Sequence, residues 1–257
     1  MLVVIGWLAA RGDLRTTLRT SNISGHIWRG FSGALAMSLR FFAIGVLTFS
    51  EVTALGFTTP LVLTILAAII LGETVRAFRL ITVTLGFFGV VIVLWPTLNF
   101  SNERSTFELI GAAAILGSAA LAALAHIFVR RLVATENTAQ IVFYFSLFVA
   151  ILSLLSLPFG WVVPPFETSL MLICAGLIGG VGQMCLTAAY RNAPASIVAP
   201  FDYSSMLLAL GIGYFWFSEI PNWWTIIGAT IIIISGIAIL WREQWLGRQR
   251  NLAQIAH

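Results

Sequence analysis

The sequence predicts an all-α fold, a polytopic bundle of transmembrane helices built as two inverted five-helix repeats, the first of them incomplete. Three observations carry this. Eight stretches of about twenty residues are apolar and nearly free of charge, the length a helix needs to cross a hydrocarbon core of about 30 Å. Of the 257 residues, 59% are hydrophobic and only 9% charged, outside the range of soluble domains. The basic residues are fourteen arginines and no lysine, and all but Arg40 and Arg104 fall in or beside alternate loops and the tail.

Backbone groups in lipid must be bonded internally, and a helix does this within one segment. The spans read His26–Leu47, Val52–Gly72, Phe78–Trp95, Leu109–Val129, Ala139–Trp161, Ser169–Ala189, Ser196–Phe217 and Trp223–Trp241. A ninth apolar stretch, Met1–Ala10, is half that length. It lacks a positive n-region and a small-residue cleavage site, so it is not a signal peptide. The nine tryptophans lie near span ends, as interfacial anchors do. No stretch is long enough for a separate soluble domain. Cys174 and Cys185 share one span about 16 Å apart, too far for a disulfide.

Arg11, Arg15, Arg19 and Arg29 flank the first loop. Arg76 and Arg79 lie in the third, Arg130 and Arg131 in the fifth, Arg191 in the seventh, and Arg242, Arg248 and Arg250 in the tail. The other loops hold only Arg104, beside Glu103 and Glu108. The positive-inside rule puts the arginine loops and the C-terminus in the cytoplasm, so the net charge of +4 is a topology signal and not a nucleic-acid footprint.

The chain also repeats. Ser50–Phe57 through Leu71-Gly72-Glu73 matches Ser196–Tyr203 through Phe217-Ser218-Glu219 at an offset of 146 residues. Each runs on into an apolar helix with glycines, Gly86 and Gly89 in one and Gly228 and Gly236 in the other. Corresponding loops carry arginine in one half and none in the other, so the repeat is inverted in the membrane, a mark of secondary transporters. Residues 1–98 form the first repeat, 108–245 the second and 246–257 a cytoplasmic tail. The offset places the partner of Leu109–Val129 roughly 40 residues before Met1. The expectation is that one helix and part of the next are missing; the other reading is a divergent nine-span protein.

Glu51–Leu61, the Leu71-Gly72-Glu73 ending, Gly86–Val90, Ala189–Ala195 with Ala199–Tyr203, Ser218–Pro221 and Ile227-Gly228-Ala229 resemble the EamA family of the drug/metabolite transporter superfamily. The resemblance covers nearly the whole chain. It implies ten helices in two inverted repeats, both termini inside, and transport of a small metabolite or drug. The chain departs from the pattern at its N-terminus and at Arg40.

Polar groups inside spans are costly and are functional candidates. Arg40 lies about 5 Å outside its helix midplane; it reads as an anion contact in a cavity or as a snorkelling side chain. Asp202, about 7 Å to the cytoplasmic side and after Pro200, reads as a proton carrier or cation contact, or as a hydrogen-bonded structural carboxyl. Gln183, Thr187, Tyr190 and Arg191 share one helical face, a cavity wall or an interhelical hydrogen-bonding stripe. Thr53, Phe57 and Tyr203, in the family-matching text, complete the expected substrate pathway. Glu73 and Glu219 end corresponding helices and read best as caps of the helices that follow. Gly176–Gly180 has the spacing of close helix packing. His126, one turn from Arg130, reads as an ordinary hydrogen-bonded histidine.

The expected function is secondary transport of a small polar metabolite across the inner membrane by alternating access, with a proton as candidate coupling ion. The alternative is a non-transporting membrane remnant or assembly partner. No P-loop, HExxH, Gly-x-Ser-x-Gly or Cys-x-x-Cys is present, so the sequence offers no enzyme motif, and no cofactor or metal is expected.

Overall fold

The structure, a computed structural model, describes residues 3–6, 20–71, 77–96, 103–192, 204–218, 220 and 222–255. In chain order the helices are α1 (Ile23–Ile44), α2 (Phe49–Gly56), α3 (Thr58–Leu71), α4 (Ala77–Leu94), α5 (Glu103–Leu132), α6 (Thr138–Leu155), α7 (Phe166–Asn192), α8 (Ser204–Phe217) and α9 (Trp223–Ile255). No strand occurs among the described residues, and each of the eight predicted spans overlaps a helix there.

The span Val52–Gly72 is two helices. Pro60 lacks the N–H that would bond the Gly56 carbonyl, and the Thr59 hydroxyl donates to that carbonyl instead, at 2.8 Å. The chain turns at Phe57. A capping box starts α2: Glu51 Oε2 accepts from the Thr48 N–H at 3.1 Å, and Thr48 Oγ1 accepts from the Glu51 N–H at 3.3 Å. α6 ends at Leu155, earlier than expected, because the Leu157–Phe159 3₁₀ turn contains Pro158. α9 continues as helix to Ile255, through most of the expected tail.

By length and composition, Phe49–Ile70 (through its break), Thr106–Leu132, Thr138–Leu155 and Phe166–Asn192 can cross a membrane; Ile81–Leu94 and Trp223–Ala238 are shorter apolar helices. α1 is not among these six, because His26, Arg29 and Arg40 hold its hydropathy down.

The chain divides into two compact units, each described by itself. Met1–Ala34 with Ala125–Ala193 form one, Leu35–Leu124 with Pro194–His257 the other. In the second unit an apolar core gathers Val52, Leu55, Leu61, Val83, Val90, Val93, Ile115 and Ile232. Here α4 and α9 run antiparallel, with Trp95 against Trp224 at one end (6.4 Å between ring centroids). A Cβ at Gly89 would lie 2.8 Å from the Gly228 carbonyl oxygen, so the backbones touch as only small residues permit. The Ser118 hydroxyl donates to the Ala36 carbonyl at 2.7 Å, tying α5 to α1.

In the first unit Val4 packs with Ala139 and Val142 of α6, and Val129 and Leu132 of α5 with Ile141. Much of α7 is exposed, and Thr187 is its buried residue. The described residues do not show the packing expected at Gly176–Gly180. Among the described residues, a Cβ at Gly176, Gly179 or Gly182 would meet nothing within 4 Å, and one at Gly180 would meet only Val3.

Candidate functional site

The first unit holds polar side chains where an apolar core would be expected. Asn22 starts α1 by accepting the Gly25 N–H on Oδ1 at 2.9 Å. The helix then carries His26 and Arg29, one turn apart, into the protein, with 4% and 7% of their surface exposed. The Arg29 guanidinium lies 3.9 Å from the centre of the Phe145 ring, a cation–π contact. Its Nη2 donates to Gln183 Oε1 over a long 3.5 Å, and among the described residues its Nε has no acceptor. Gly33, one turn further, leaves the room: a Cβ there would collide with Arg29 Nη1.

α7 supplies the facing wall. Gln183, Thr187 and Tyr190 recur at helical spacing, with Thr187 buried and the other two half-buried. The Tyr190 ring lies 5.6 Å from His126 of α5. Arg191 faces elsewhere, donating to the Glu136 carbonyl and to Asn137 Oδ1, both at 3.3 Å.

Glu136, in the turn between α5 and α6, draws the end of this unit together. Its Oε1 accepts from Thr20 Oγ1 at 2.7 Å and from the Ser21 N–H at 3.1 Å. His26 Nε2 stands 3.9 Å from Oε2, and the His26 ring lies 4.6 Å from Tyr144. Burial works against ionisation of Glu136, but the hydrogen bonds from Thr20 and Ser21 and the proximity of His26 outweigh it. The pKa therefore lies below the ordinary carboxylate value.

Among the expected pathway residues, Gln183, Thr187 and Tyr190 belong to this unit. Arg40 belongs to the other, where its guanidinium lies beside Gly56, about van der Waals distance from where a Cβ would stand. Thr53 and Phe57 are buried there: the Thr53 hydroxyl donates to the Phe49 carbonyl of its own helix at 2.8 Å, and Phe57 is part of the apolar core. Asp202, Tyr203, Glu73 and Glu219 lie outside the described residues. Sequence reasoning passed over Arg29 by counting it with the loop arginines. The signal was present, because Arg29 falls inside the span His26–Leu47 and shares a face with His26 and Gly33. Among the described residues no group of three histidine, cysteine or carboxylate side chains could hold a metal ion.

Comparison with known proteins bears on what such a cluster serves. Residues 109–241 match the EamA-like transporter family. A riboflavin transporter of Vibrio cholerae is 30% identical over 256 residues, covering 98% of this chain and 83% of its own length. The pseudopaline exporter CntI of Pseudomonas aeruginosa is 31% identical over 218 residues, 82% of this chain and 72% of that one. An S-adenosylmethionine uptake transporter of Rickettsia bellii is 26% identical over 230 residues, 90% of this chain and 77% of that one. One solved crystal structure superimposes with a TM-score of 0.66 at 18% identity, covering 93% of this chain and 82% of its own, a likeness of fold. The chain, a multi-pass helical membrane protein, belongs to the EamA-like transporter family.

Proposed function

We propose that this transporter is a secondary carrier that moves a small polar metabolite across the inner membrane by alternating access, without ATP. The observation that carries the reading is the cluster of Arg29, Gln183 and Thr187. These groups would be penalised in lipid, and they are turned into protein in a chain whose family moves solutes. The antiparallel packing of α4 on α9, helices that correspond under the 146-residue offset, supports an inverted repeat. In this reading Gln183, Thr187 and Tyr190 belong to the solute path with Arg29, and Asp202, outside the described residues, is the carrier of a coupling proton. The relatives named above are called transporters of riboflavin, pseudopaline and S-adenosylmethionine, all small and rich in polar groups, and the names include both export and uptake.

The test is accumulation in proteoliposomes under an imposed proton gradient, with riboflavin and S-adenosylmethionine in a wider metabolite panel. Protein-bearing vesicles should concentrate at least one solute above protein-free vesicles. Asp202→Asn, which keeps the shape but cannot titrate, should abolish gradient-driven accumulation while solute exchange survives. A second reading, a non-transporting membrane partner, is favoured by the open glycine-lined face of α7. Folded protein that moves no panel member would support it. The arginine alternation sets the orientation: a reporter after Arg250 should read cytoplasmic and one near Asn102 extracytoplasmic. The same compartment from both would overturn the span count.

A further inference from the structure

We propose that Arg29 is the anion-recognition residue of the cargo site, taking a carboxylate or phosphate oxygen of the transported solute. The inference rests on the transporter reading and adds to it the chemical class of the cargo.

A guanidinium carries five N–H donors in a planar fork and is charged at any working pH. In proteins it is almost never this deeply buried without a carboxylate or a full set of acceptors. Arg29 is 7% exposed, inside the predicted span His26–Leu47, and its partners among the described residues are poor. There they are a single 3.5 Å bond to the neutral Gln183 amide and the face of Phe145, with Nε unbonded. Among the described residues no carboxylate pairs with it. Glu136, the carboxylate at this end of the unit, is occupied by Thr20, Ser21 and His26. A buried cation without a counter-charge is destabilising, and an incoming anion removes that cost while gaining charge-assisted, two-pronged hydrogen bonds. The surroundings keep the fork available: Gly33 gives Nη1 its space, Phe145 fixes the plane, and Gln183 holds one nitrogen weakly enough to be exchanged.

An anionic lipid headgroup offers the same oxygens as a solute, and the experiment separates the two. Riboflavin and riboflavin 5′-phosphate differ only in a phosphate monoester; S-adenosylmethionine and its methyl ester differ only in a carboxylate charge. Affinities for both pairs are measured by calorimetry on the full chain in phosphatidylcholine nanodiscs, and again in phosphatidylglycerol nanodiscs. The expected result is roughly tenfold or greater preference for the acidic member of at least one pair in phosphatidylcholine, retained in part by Arg29→Lys and lost in Arg29→Gln. Gly33→Ala keeps the charge but crowds Nη1, and it should weaken the same preference if Arg29→Gln does not fold. Equal affinity within both pairs overturns the proposal, as does a preference that survives Arg29→Gln or, where that variant is unfolded, Gly33→Ala. Arg29-dependent stabilisation by phosphatidylglycerol with no discrimination between solutes overturns it in favour of a headgroup site. Transport that shows no preference for the acidic member of either pair and is unaffected by Arg29 variants would sink this inference alone. Acid-selective binding without any transport would sink the carrier reading alone.

Discussion

Helices α1 and α7 carry the same pattern in opposite surroundings. Gly30, Gly33, Ala34 and Ala36 of α1 correspond, 146 residues on, to Gly176, Gly179, Gly180 and Gly182 of α7. On α1 the pattern is used. A Cβ at Gly30 would stand 2.8 Å from Phe148 Cδ1, one at Gly33 would stand 2.8 Å from Phe145, and the Ala36 carbonyl accepts a hydrogen bond from α5. On α7 it is open, with nothing near three of the four positions among the described residues. Small residues permit close approach of helices but do not produce it, because the attraction comes from the partner's packing and polar groups. On α1 that partner is an aromatic wall, which also holds a buried guanidinium.

The largest effect should come from filling the used side of the pattern. Gly33→Leu drives a branched side chain into Arg29 and Phe145, and overpacking of this kind costs about 1–3 kcal/mol or more. The corresponding Gly179→Leu should change stability by no more than about 0.5 kcal/mol. Denaturation of both variants in the same detergent decides the matter. Equal destabilisation would mean that something covers the α7 face and that the contrast between the helices is false.

A smaller effect of unusual sign should follow from Arg29→Met. A clamp made of the cation–π contact would make this replacement destabilising, by about 0.5–2 kcal/mol. A cation kept for a ligand makes it neutral or stabilising, because a desolvated charge without a partner is removed. A melting temperature at or above wild type, with lost preference for acidic solutes, is the expected outcome. A clear drop would return Arg29 to a structural role.

The smallest effect concerns the Glu136 turn, whose carboxylate accepts hydrogen bonds from Thr20 and Ser21. The Glu136 pKa is lowered on folding, so its contribution is present above the unfolded carboxylate value of about 4.3 and is lost as pH falls through the lower folded value. The melting temperature of wild type minus that of Glu136→Gln should be constant from about pH 7 to about pH 5 and should shrink below about pH 4. A difference that does not shrink on acidification would mean that the charge on Glu136 contributes nothing.

The sequence by itself determined where the helices are, because crossing a hydrocarbon core is a local matter of length and hydropathy. Each predicted span overlaps a helix among the described residues, and the break at Phe57 follows from Pro60 three residues on. The face shared by Gln183, Thr187 and Tyr190 was legible for the same reason, as a consequence of 3.6 residues per turn. Family membership was legible too, in the motif text around Glu51–Leu61 and Ala189–Tyr203. Only the tertiary structure decided which of the polar residues meet. Glu136 takes its hydrogen bonds from residues more than a hundred positions away, and Arg29 meets Gln183 across 154 residues of chain. The sequence puts Arg29 inside a span, but only the fold puts Phe145 beneath it. No periodicity encodes such a contact, since helical spacing says which residues share a face and nothing about which face another helix will bring against it.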